Sequence, residues 1–211
     1  MRSKFRIAIV VVLAAAAVVL FVSPVRHFVL IAAGNLLVVA DPLAPVDVIV
    51  ISVDGGAAEV LEAADLVKAG LAPRVAVLAG PQDTVGLEFA RRGLPYADRT
   101  QVAVQTLHAL GVAEAAQVEP RVDGSHSESD LVPLWCERQG FHSAILVVTP
   151  DHSSRVRRLL ARTAAGHAVR LLVRYSRYST FRSDSWWQSR EGIRMELIGL
   201  QKLVADIVNH P

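Results

Sequence analysis

The chain has 211 residues, of which 52% are hydrophobic and only 6% aromatic, so its bulk comes from small aliphatic side chains. That composition favours one helix-covered α/β domain over a β-sandwich. The formal net charge is only +2, although residues 151–211 hold 11 of the 22 basic side chains and 5 of the 20 acidic ones. Because no aromatic residues alternate with these basic residues, a nucleic-acid partner is not expected. The single Cys136 excludes an intramolecular disulfide and a zinc site built on cysteines, and indicates a small core residue.

An uninterrupted apolar run, Ile7 to Val22, follows three basic residues at the N-terminus. Extended to Val25 it is 19 residues long, close to the roughly 20 residues that cross a bilayer core as a helix. We therefore predict a transmembrane anchor within residues 1–26, since a signal peptide has a shorter apolar stretch and a small-residue cleavage site. The positive-inside rule places the N-terminus in the cytoplasm and the domain outside. The expected location is the cell membrane, with membrane lipid as a partner of the helix.

Residues 27–45 are predicted to form a membrane-proximal helix and a linker. The apolar run from Phe28 to Ala40 is too short to cross a bilayer alone. The prolines of DPLAPVD end it and mark the start of the domain, residues 46–211.

Short β-branched runs alternate with helical patterns in this domain. Strands are predicted at residues 48–53, 74–79, 117–122, 143–149 and 168–173. Helices are predicted at residues 58–69, 84–94, 98–110, 127–139 and 153–165. This order predicts a Rossmann-like three-layer α/β domain with a mainly parallel sheet, and ligands then bind at the carboxyl ends of the strands.

The C-terminal segment has apolar residues at helical spacing. They are Ile193, Leu197, Leu200, Leu203 and Val204. Such a stripe is typical of core packing. The alternative for the adjacent Trp186 and Trp187, beside Arg182 and Arg190, is the headgroup level of a nearby bilayer, where tryptophan is favoured.

The first candidate ligand-binding turn is Asp54, Gly55 and Gly56, after the first predicted strand. Free backbone N–H groups and the dipole of the following helix favour an anion there. A tight turn that needs glycine explains the same residues without a ligand. The full G-x-G-x-x-G spacing is absent, so dinucleotide binding is not predicted.

Ser125 and Glu128 have the spacing of a capping box, in which each side chain binds the backbone amide of the other residue. Their position after the third predicted strand also places them at the ligand-binding edge. On that interpretation Ser125 binds the ligand and Glu128 is catalytic. The sequence leaves both roles open.

The segment AILVVTPDHSSRVRRLL carries the strongest functional signal. His152 follows a buried strand, and Arg155 lies about one helical turn further on. A neutral imidazole exchanges protons near pH 7, while a guanidinium binds phosphate or carboxylate groups. His152 and Asp151 are therefore candidate catalytic residues, with Thr149 and Arg155 as candidate ligand-binding residues. The alternative is a set of capping and solvated residues at a helix N-terminus.

Metal and nucleophile motifs are absent from the sequence. There is no H-E-x-x-H zinc motif and no G-x-S-x-G elbow, so neither a metal site nor a serine nucleophile is predicted. No cofactor is identified.

Five segments together resemble the SanA, ElyC and YdcF family of unknown-function bacterial envelope proteins. In chain order they read LVVADPLAPVDVIVI, KAGLAPRVAVLAG, GLPYADRT, VVTPDHSSRVRRL and SDSWWQSREGIRMELIGLQKL. The resemblance covers about residues 37–205. It implies a Rossmann-like domain, often on an N-terminal membrane anchor, with a role in cell-envelope biogenesis. By position, the residues that match the family's motifs are Gly55, Gly56, Ser125, Glu128, His152 and Arg155.

The leading hypothesis is a single-pass membrane protein that binds an anionic, phosphorylated or lipid-linked, envelope precursor at the strand edge. The alternative is a non-catalytic membrane-tethered binding or scaffold protein that has lost the family activity. Residues 52–54 and 79–81 favour this alternative, because they depart from the family's first two loops. Transferase or nucleotide chemistry rests on fold analogy alone. Whether the protein catalyses a reaction stays open.

Overall fold

The computed structural model describes residues 7, 10–15, 17 and 23–209. The strands are β1 (Val48–Ile51), β2 (Arg74–Leu78), β3 (Glu114–Val118), β4 (Ser143–Val148) and β5 (Arg170–Tyr175). The long helices are α1 (Ser23–Leu37), α2 (Ala57–Lys68), α3 (Thr84–Arg91), α4 (Arg99–Ala109), α5 (Ser125–Arg138), α6 (Pro150–Thr163) and α7 (Arg190–Asn209). Two short 3₁₀ turns span Ala164–Gly166 and Trp186–Gln188.

The five strands form one sheet in the order β3-β2-β1-β4-β5, and every neighbouring pair is parallel. This confirms the predicted Rossmann-like α/β fold. The central strands β1 and β4 are almost entirely buried, as expected for apolar runs covered on both faces. From β1 the chain continues outward through β2 to β3, and later through β4 to β5. The strand order therefore reverses between β1 and β4, where ligands bind in such sheets.

Alternate residues of the central strands pack into two hydrophobic cores, one on each face of the sheet. On one face, Val50 and Leu146 pack with residues of α5 and α6, including the buried Cys136. On the other face, Ile49 and Ile145 pack with residues of α2 and α4. This arrangement holds the carboxyl ends of β1 and β4 between rigid layers, so the loops that follow them start from fixed positions.

Two element boundaries differ from the prediction in ways that affect the site. Strand β3 ends at Val118, whereas the sequence predicted a strand at 117–122. As an edge strand, β3 has mostly exposed or half-buried residues and therefore lacks a continuous apolar run. Helix α6 begins at Pro150, a residue well suited to the first helical position, with Thr149 as its N-cap. His152 consequently lies in the first turn of a helix, not in a loop.

The prediction that the C-terminal apolar stripe packs in the core is wrong for most of its residues. Ile193, Leu197 and Val204 are 39%, 60% and 56% exposed, and Leu200 and Leu203 are half-buried. The buried positions of α7 are Gly192, Glu196, Gly199 and Asp206. A Cβ atom at position 199 would lie 2.7 Å from the side chain of Leu37. Close packing on α1 therefore selects glycine at this position, and the buried face of α7 is small and acidic.

Most of the predicted anchor, residues 1–26, lies outside the described residues. Residues 7, 10–15 and 17 are helical, as is the chain from Ser23 onward. Among the described residues, no helix has both the length and the apolar character needed to cross a membrane. Helix α1 runs through Gly34 and packs against α6 and α7. The backbone N–H of Val39 donates to the hydroxyl of Ser153 at 2.8 Å, which joins the segment after α1 to the domain.

Candidate functional site

A cleft of about 450 Å³ lies at the carboxyl ends of β1 and β2. Its apolar lining includes Ile51, Val60, Val77, Leu78 and Val102. Its polar lining includes Ser52, Asp54, Asp83, Tyr96, Asp98, Arg99, Arg121 and Asp123. The cleft thus combines an apolar lining with charged groups of both signs at the carboxyl edge of the sheet. It lies on the β2 side of β1, beside the reversal of strand order between β1 and β4.

One wall of the cleft comes from the segment GLPYADRT, residues 93–100. Tyr96 packs over Gly86 so closely that a Cβ atom at position 86 would lie 2.0 Å from its ring. Asp98 is the N-cap of α4, with its carboxylate accepting from the amide of Thr100 at 2.8 Å. Arg121 donates to the same carboxylate at 3.0 Å. Burial opposes the ionisation of Asp98, but these hydrogen bonds outweigh it and lower its pKa.

Arg99 is the exposed cation of this wall. Its guanidinium donates to the carbonyl oxygen of Gly55 at 3.4 Å, which directs it toward the turn after β1. Within the described part of the chain Arg99 forms no ion pair, whereas Arg121 is paired with Asp98. Arg99 therefore presents at the cleft a guanidinium that is unpaired among the described residues, and such a group suits a phosphate or carboxylate.

The turn Asp54-Gly55-Gly56, a candidate ligand-binding turn in the sequence, lines the cleft. Gly55 is required there, because a Cβ atom would lie 2.7 Å from the side chain of Ile51. The amide of Gly56, however, donates to the carboxylate of Glu59 at 2.7 Å. The carboxylate of Glu59 thus occupies the N-terminus of α2, the position that the sequence predicted for a ligand anion.

The predicted capping box at Ser125 and Glu128 is wrong. The N-cap of α5 is Gly124, and the amide of residue 128 donates to its carbonyl oxygen. The fully buried carboxylate of Glu128 instead accepts from the hydroxyl of Ser52 at 2.8 Å and from the amide of Val53 at 3.1 Å. Burial raises the pKa of Glu128 to about 7 despite these two bonds. Glu128 can therefore exchange a proton near neutral pH directly behind the cleft residue Ser52.

His152 lies between two carboxylates. Its Nδ1 atom is 3.3 Å from Asp54 and its Nε2 atom is 3.5 Å from Asp151. The imidazole lowers the pKa of Asp54, although partial burial opposes this. Asp54 is half-exposed and lines the cleft, while His152 is nearly buried. His152 does not line the cleft but lies behind Asp54, where an imidazole can pair with the carboxylate or take up a proton that Asp54 has first accepted.

Arg155, predicted to bind the ligand, is paired within the protein. Its Nε atom donates to Asp206 of α7 at 2.5 Å and its Nη1 atom donates to the hydroxyl of Ser125 at 3.0 Å. His126 lies 3.0 Å from the other oxygen of Asp206. Burial opposes ionisation of Asp206, but the bonds to Arg155 and His126 lower its pKa. The charge of Arg155 is thus compensated by α7.

A second buried carboxyl group adjoins this cluster. Glu196 of α7 is fully buried, and neither of its oxygens has a hydrogen-bond partner among the described residues. Burial and the nearby carboxylate of Asp151 raise its pKa to about 7. The hydroxyl of Thr149, at the N-cap of α6, likewise has no partner within the described ranges. No group of three or more potential metal ligands lies together in the described part of the chain.

The structure thus divides the residues selected from sequence into two groups. Asp54, Gly55 and Gly56 line the cleft, whereas Ser125, Glu128, Thr149, Asp151, His152 and Arg155 lie outside its lining. Sequence reasoning missed Arg99, Arg121 and Glu196 as site residues. The segment GLPYADRT was a usable signal for Arg99, because it is one of the segments that carry the family resemblance.

No protein-family model matches the chain, and no curated protein matches it. Among solved structures, the chain is similar to the E. coli tRNA N6-threonylcarbamoyladenosine dehydratase TcdA, determined in complex with ATP. The two share 11% sequence identity with a TM-score of 0.34, over 85% of this chain and 92% of that chain. A similarity this distant carries no argument about ligand or activity, and the fold class rests on the sheet topology.

Proposed function

We propose that this protein binds an anionic precursor of the cell envelope, phosphorylated or lipid-linked, in the cleft beside β1. The N-terminal segment holds it in the cell membrane with the domain outside. The observation that supports this most is Arg99, an exposed guanidinium at the cleft without an ionic partner in the described chain. The envelope context comes from the resemblance to the SanA, ElyC and YdcF proteins.

The side chains behind the cleft support acid–base chemistry on such a ligand. Asp54 presents a carboxylate to the cleft, with His152 at 3.3 Å. Glu128, whose pKa is raised to about 7, binds Ser52. A ligand bound at Arg99 would meet Asp54 as the accessible proton acceptor, and His152 would position it.

A non-catalytic binding or scaffold protein is the second candidate. The observation that favours it is the internal occupation of two anion positions, by Glu59 at the amide of Gly56 and by Asp206 at Arg155. Because carboxylates of the protein already occupy both positions, the site does not need a bound ligand to be stable.

Thermal unfolding of the full chain in detergent tests the binding proposal. The probes are a polyprenyl phosphate and a UDP-sugar, each titrated against wild type, Arg99→Ala and Arg92→Ala. Arg92 is the matched control, because it is an exposed arginine outside the cleft that pairs with Glu88. At about 100 times its dissociation constant, a bound probe adds roughly 2.7 kcal/mol to stability.

We expect one of the probes to stabilise wild type and Arg92→Ala, and to stabilise Arg99→Ala much less. Equal stabilisation of Arg99→Ala and wild type would exclude Arg99 as the anion-binding group. If neither probe stabilised wild type, the binding proposal would fail and the scaffold function would be favoured.

A further inference from the structure

We propose that one end of the α1–α7 pair rests in the headgroup layer of a lipid bilayer. We call this region the tryptophan edge and define it as His27, Phe28, Ile31, Trp186 and Trp187. The inference depends on the membrane location in the proposed function, but not on the ligand cleft.

The two tryptophans are held against the first turns of α1. The indole N–H of Trp186 donates to the carbonyl oxygen of Leu30 at 2.9 Å. The ring of Trp187 lies 5.9 Å from the ring of His27, and the two indoles are 5.9 Å apart at 87°. Their position relative to α1 is therefore fixed by packing and a hydrogen bond.

Glycine makes this close contact possible. A Cβ atom at position 34 would lie 2.2 Å from the carbonyl oxygen of Ser183 and 2.8 Å from the Trp186 ring. The segment between β5 and α7 thus packs directly on the α1 backbone. The tryptophan edge is a built part of the domain and not a loose loop.

Three apolar side chains of α1 are exposed at this edge. Phe28 is 73% exposed, while Val29 and Ile31 are 39% and 37% exposed. A helix at the surface of a soluble domain normally turns polar residues toward water. Isolated exposed apolar residues need no explanation, but here they lie on the same turns of α1 whose His27 and Leu30 contact two half-buried tryptophans.

The path of the chain indicates what covers this edge. The apolar run of residues 7–22 leads directly into Ser23, the first residue of α1. Phe28 is five residues further on, about 8 Å along a helix axis. If the run lies in a bilayer, as the sequence predicts, Phe28 and the packed tryptophans are at the depth of the lipid headgroups. Tryptophan is enriched at that depth.

Charge at the edge suits a membrane surface. Arg182 and Arg190 flank the two tryptophans in the sequence, are exposed, and form no ion pair with any described residue. Asp184 is the one acidic residue between them. Guanidinium groups beside tryptophan complement anionic headgroups. A second copy of the chain is the other possible occupant, and the experiment separates the two.

The chain's three tryptophans allow a direct test by fluorescence. The Trp135→Phe variant leaves only Trp186 and Trp187, and the Trp186→Phe/Trp187→Phe variant leaves only Trp135. Trp135 is the internal control, because it lies on α5 against Phe141, with ring centroids 5.6 Å apart. The full chain of each variant is reconstituted in phosphatidylcholine–phosphatidylglycerol vesicles that contain lipids brominated at a shallow or a deep acyl position.

We expect shallow bromines to quench the Trp186–Trp187 emission more than deep bromines do, and more than either quenches Trp135. Vesicle flotation measures separately whether the N-terminal segment anchors the protein in the membrane. If the protein floated with the vesicles but Trp186 and Trp187 were not quenched, the docking proposal would be overturned. If cross-linked dimers then formed through the tryptophan edge, a second copy of the chain would be its partner. If the protein did not float, it would not be anchored in the membrane, and the docking proposal would be overturned as well.

A second variant covers the case in which a tryptophan substitution prevents folding. Phe28→Ser/Ile31→Ser changes only exposed positions, so the domain should fold while the edge loses its apolar contacts. Quenching of this variant should fall to less than half of the wild-type value, and unchanged quenching would contradict the proposal. Because the cleft is not altered, ligand binding by this variant tests the proposed function independently.

Discussion

The two walls around the carboxyl ends of the central strands differ in how their charges are compensated. On the wall formed by α6 and α7, Arg155 pairs with Asp206 and Ser125. On the wall formed by α4, Arg99 is exposed and donates only to a carbonyl oxygen. The charges of the first wall bind helices to one another, whereas the second wall leaves the charge of Arg99 exposed at the cleft.

This difference shows that a motif residue need not be exposed at the cleft. Arg155 has the helical spacing from His152 that suggests an anion site, yet α7 covers it. Arg99 has no such spacing and is open to the cleft. Substitutions in the paired wall should therefore act mainly on stability, and those in the open wall mainly on binding.

The largest expected loss of stability comes from Asp206→Ala. The substitution leaves Arg155, whose side chain is only 12% exposed, without its carboxylate, which should cost about 4 kcal/mol. Urea unfolding measures the change. Glu191→Ala is the matched control, because Glu191 is also an acidic residue of α7 that pairs with an arginine, Arg194, but is 55% exposed. Its loss should stay below about 1 kcal/mol. Equal losses would show that burial does not distinguish the two pairs.

Glu128→Gln should change how stability depends on pH. The pKa of Glu128 is about 7 in the folded protein, above its ordinary value of 4.5, so the folded state holds the proton more tightly. The resulting stability is complete below about pH 4.5 and is lost as pH rises toward 7, by on the order of 3 kcal/mol. Glutamine still accepts the bonds from Ser52 and Val53 but cannot ionise.

Unfolding free energies of wild type and Glu128→Gln at pH 5 and pH 8 test this dependence. The unfolding free energy of Glu128→Gln relative to that of wild type should be larger at pH 8 than at pH 5. Glu88→Gln serves as the control, since Glu88 is an exposed carboxylate on α3. A constant difference between wild type and Glu128→Gln would mean that Glu128 is ionised throughout this range.

The smallest expected effect on stability is that of Asp98→Ala in the open wall. Removing the N-cap acceptor of α4 should cost about 1 kcal/mol. Asp98→Asn keeps a capping oxygen, so its cost should stay below about 0.5 kcal/mol. Both variants free Arg121 from its ionic partner, and we expect both to bind the anionic probe more tightly than wild type. Weaker binding by Asp98→Asn would mean that the Asp98 carboxylate itself contacts the ligand.

Local sequence patterns were sufficient for the fold but only partly for the site. The apolar runs of β1 and β4 indicated covered parallel strands, because strands buried on both faces need apolar residues at every position. The same patterns placed Asp54 and His152 at the ends of strands that prove to be neighbours, and the structure brings them within 3.3 Å. Glu128 has the spacing of a local cap, however, and its carboxylate binds Ser52, 76 residues away.

Sequence by itself determined the order of strands and helices, the parallel sheet and the edge where ligands are expected, since these follow from residue periodicity and short connections. Only the tertiary structure decided which charges are compensated and which face of α7 is buried. Those outcomes depend on how closely α7 approaches α1 and α6, where Gly199 allows contact with Leu37 and Asp151, and where Asp206 meets Arg155 from 51 positions away. The angle and distance between helices, which no local pattern encodes, thus determined that α7 covers Arg155.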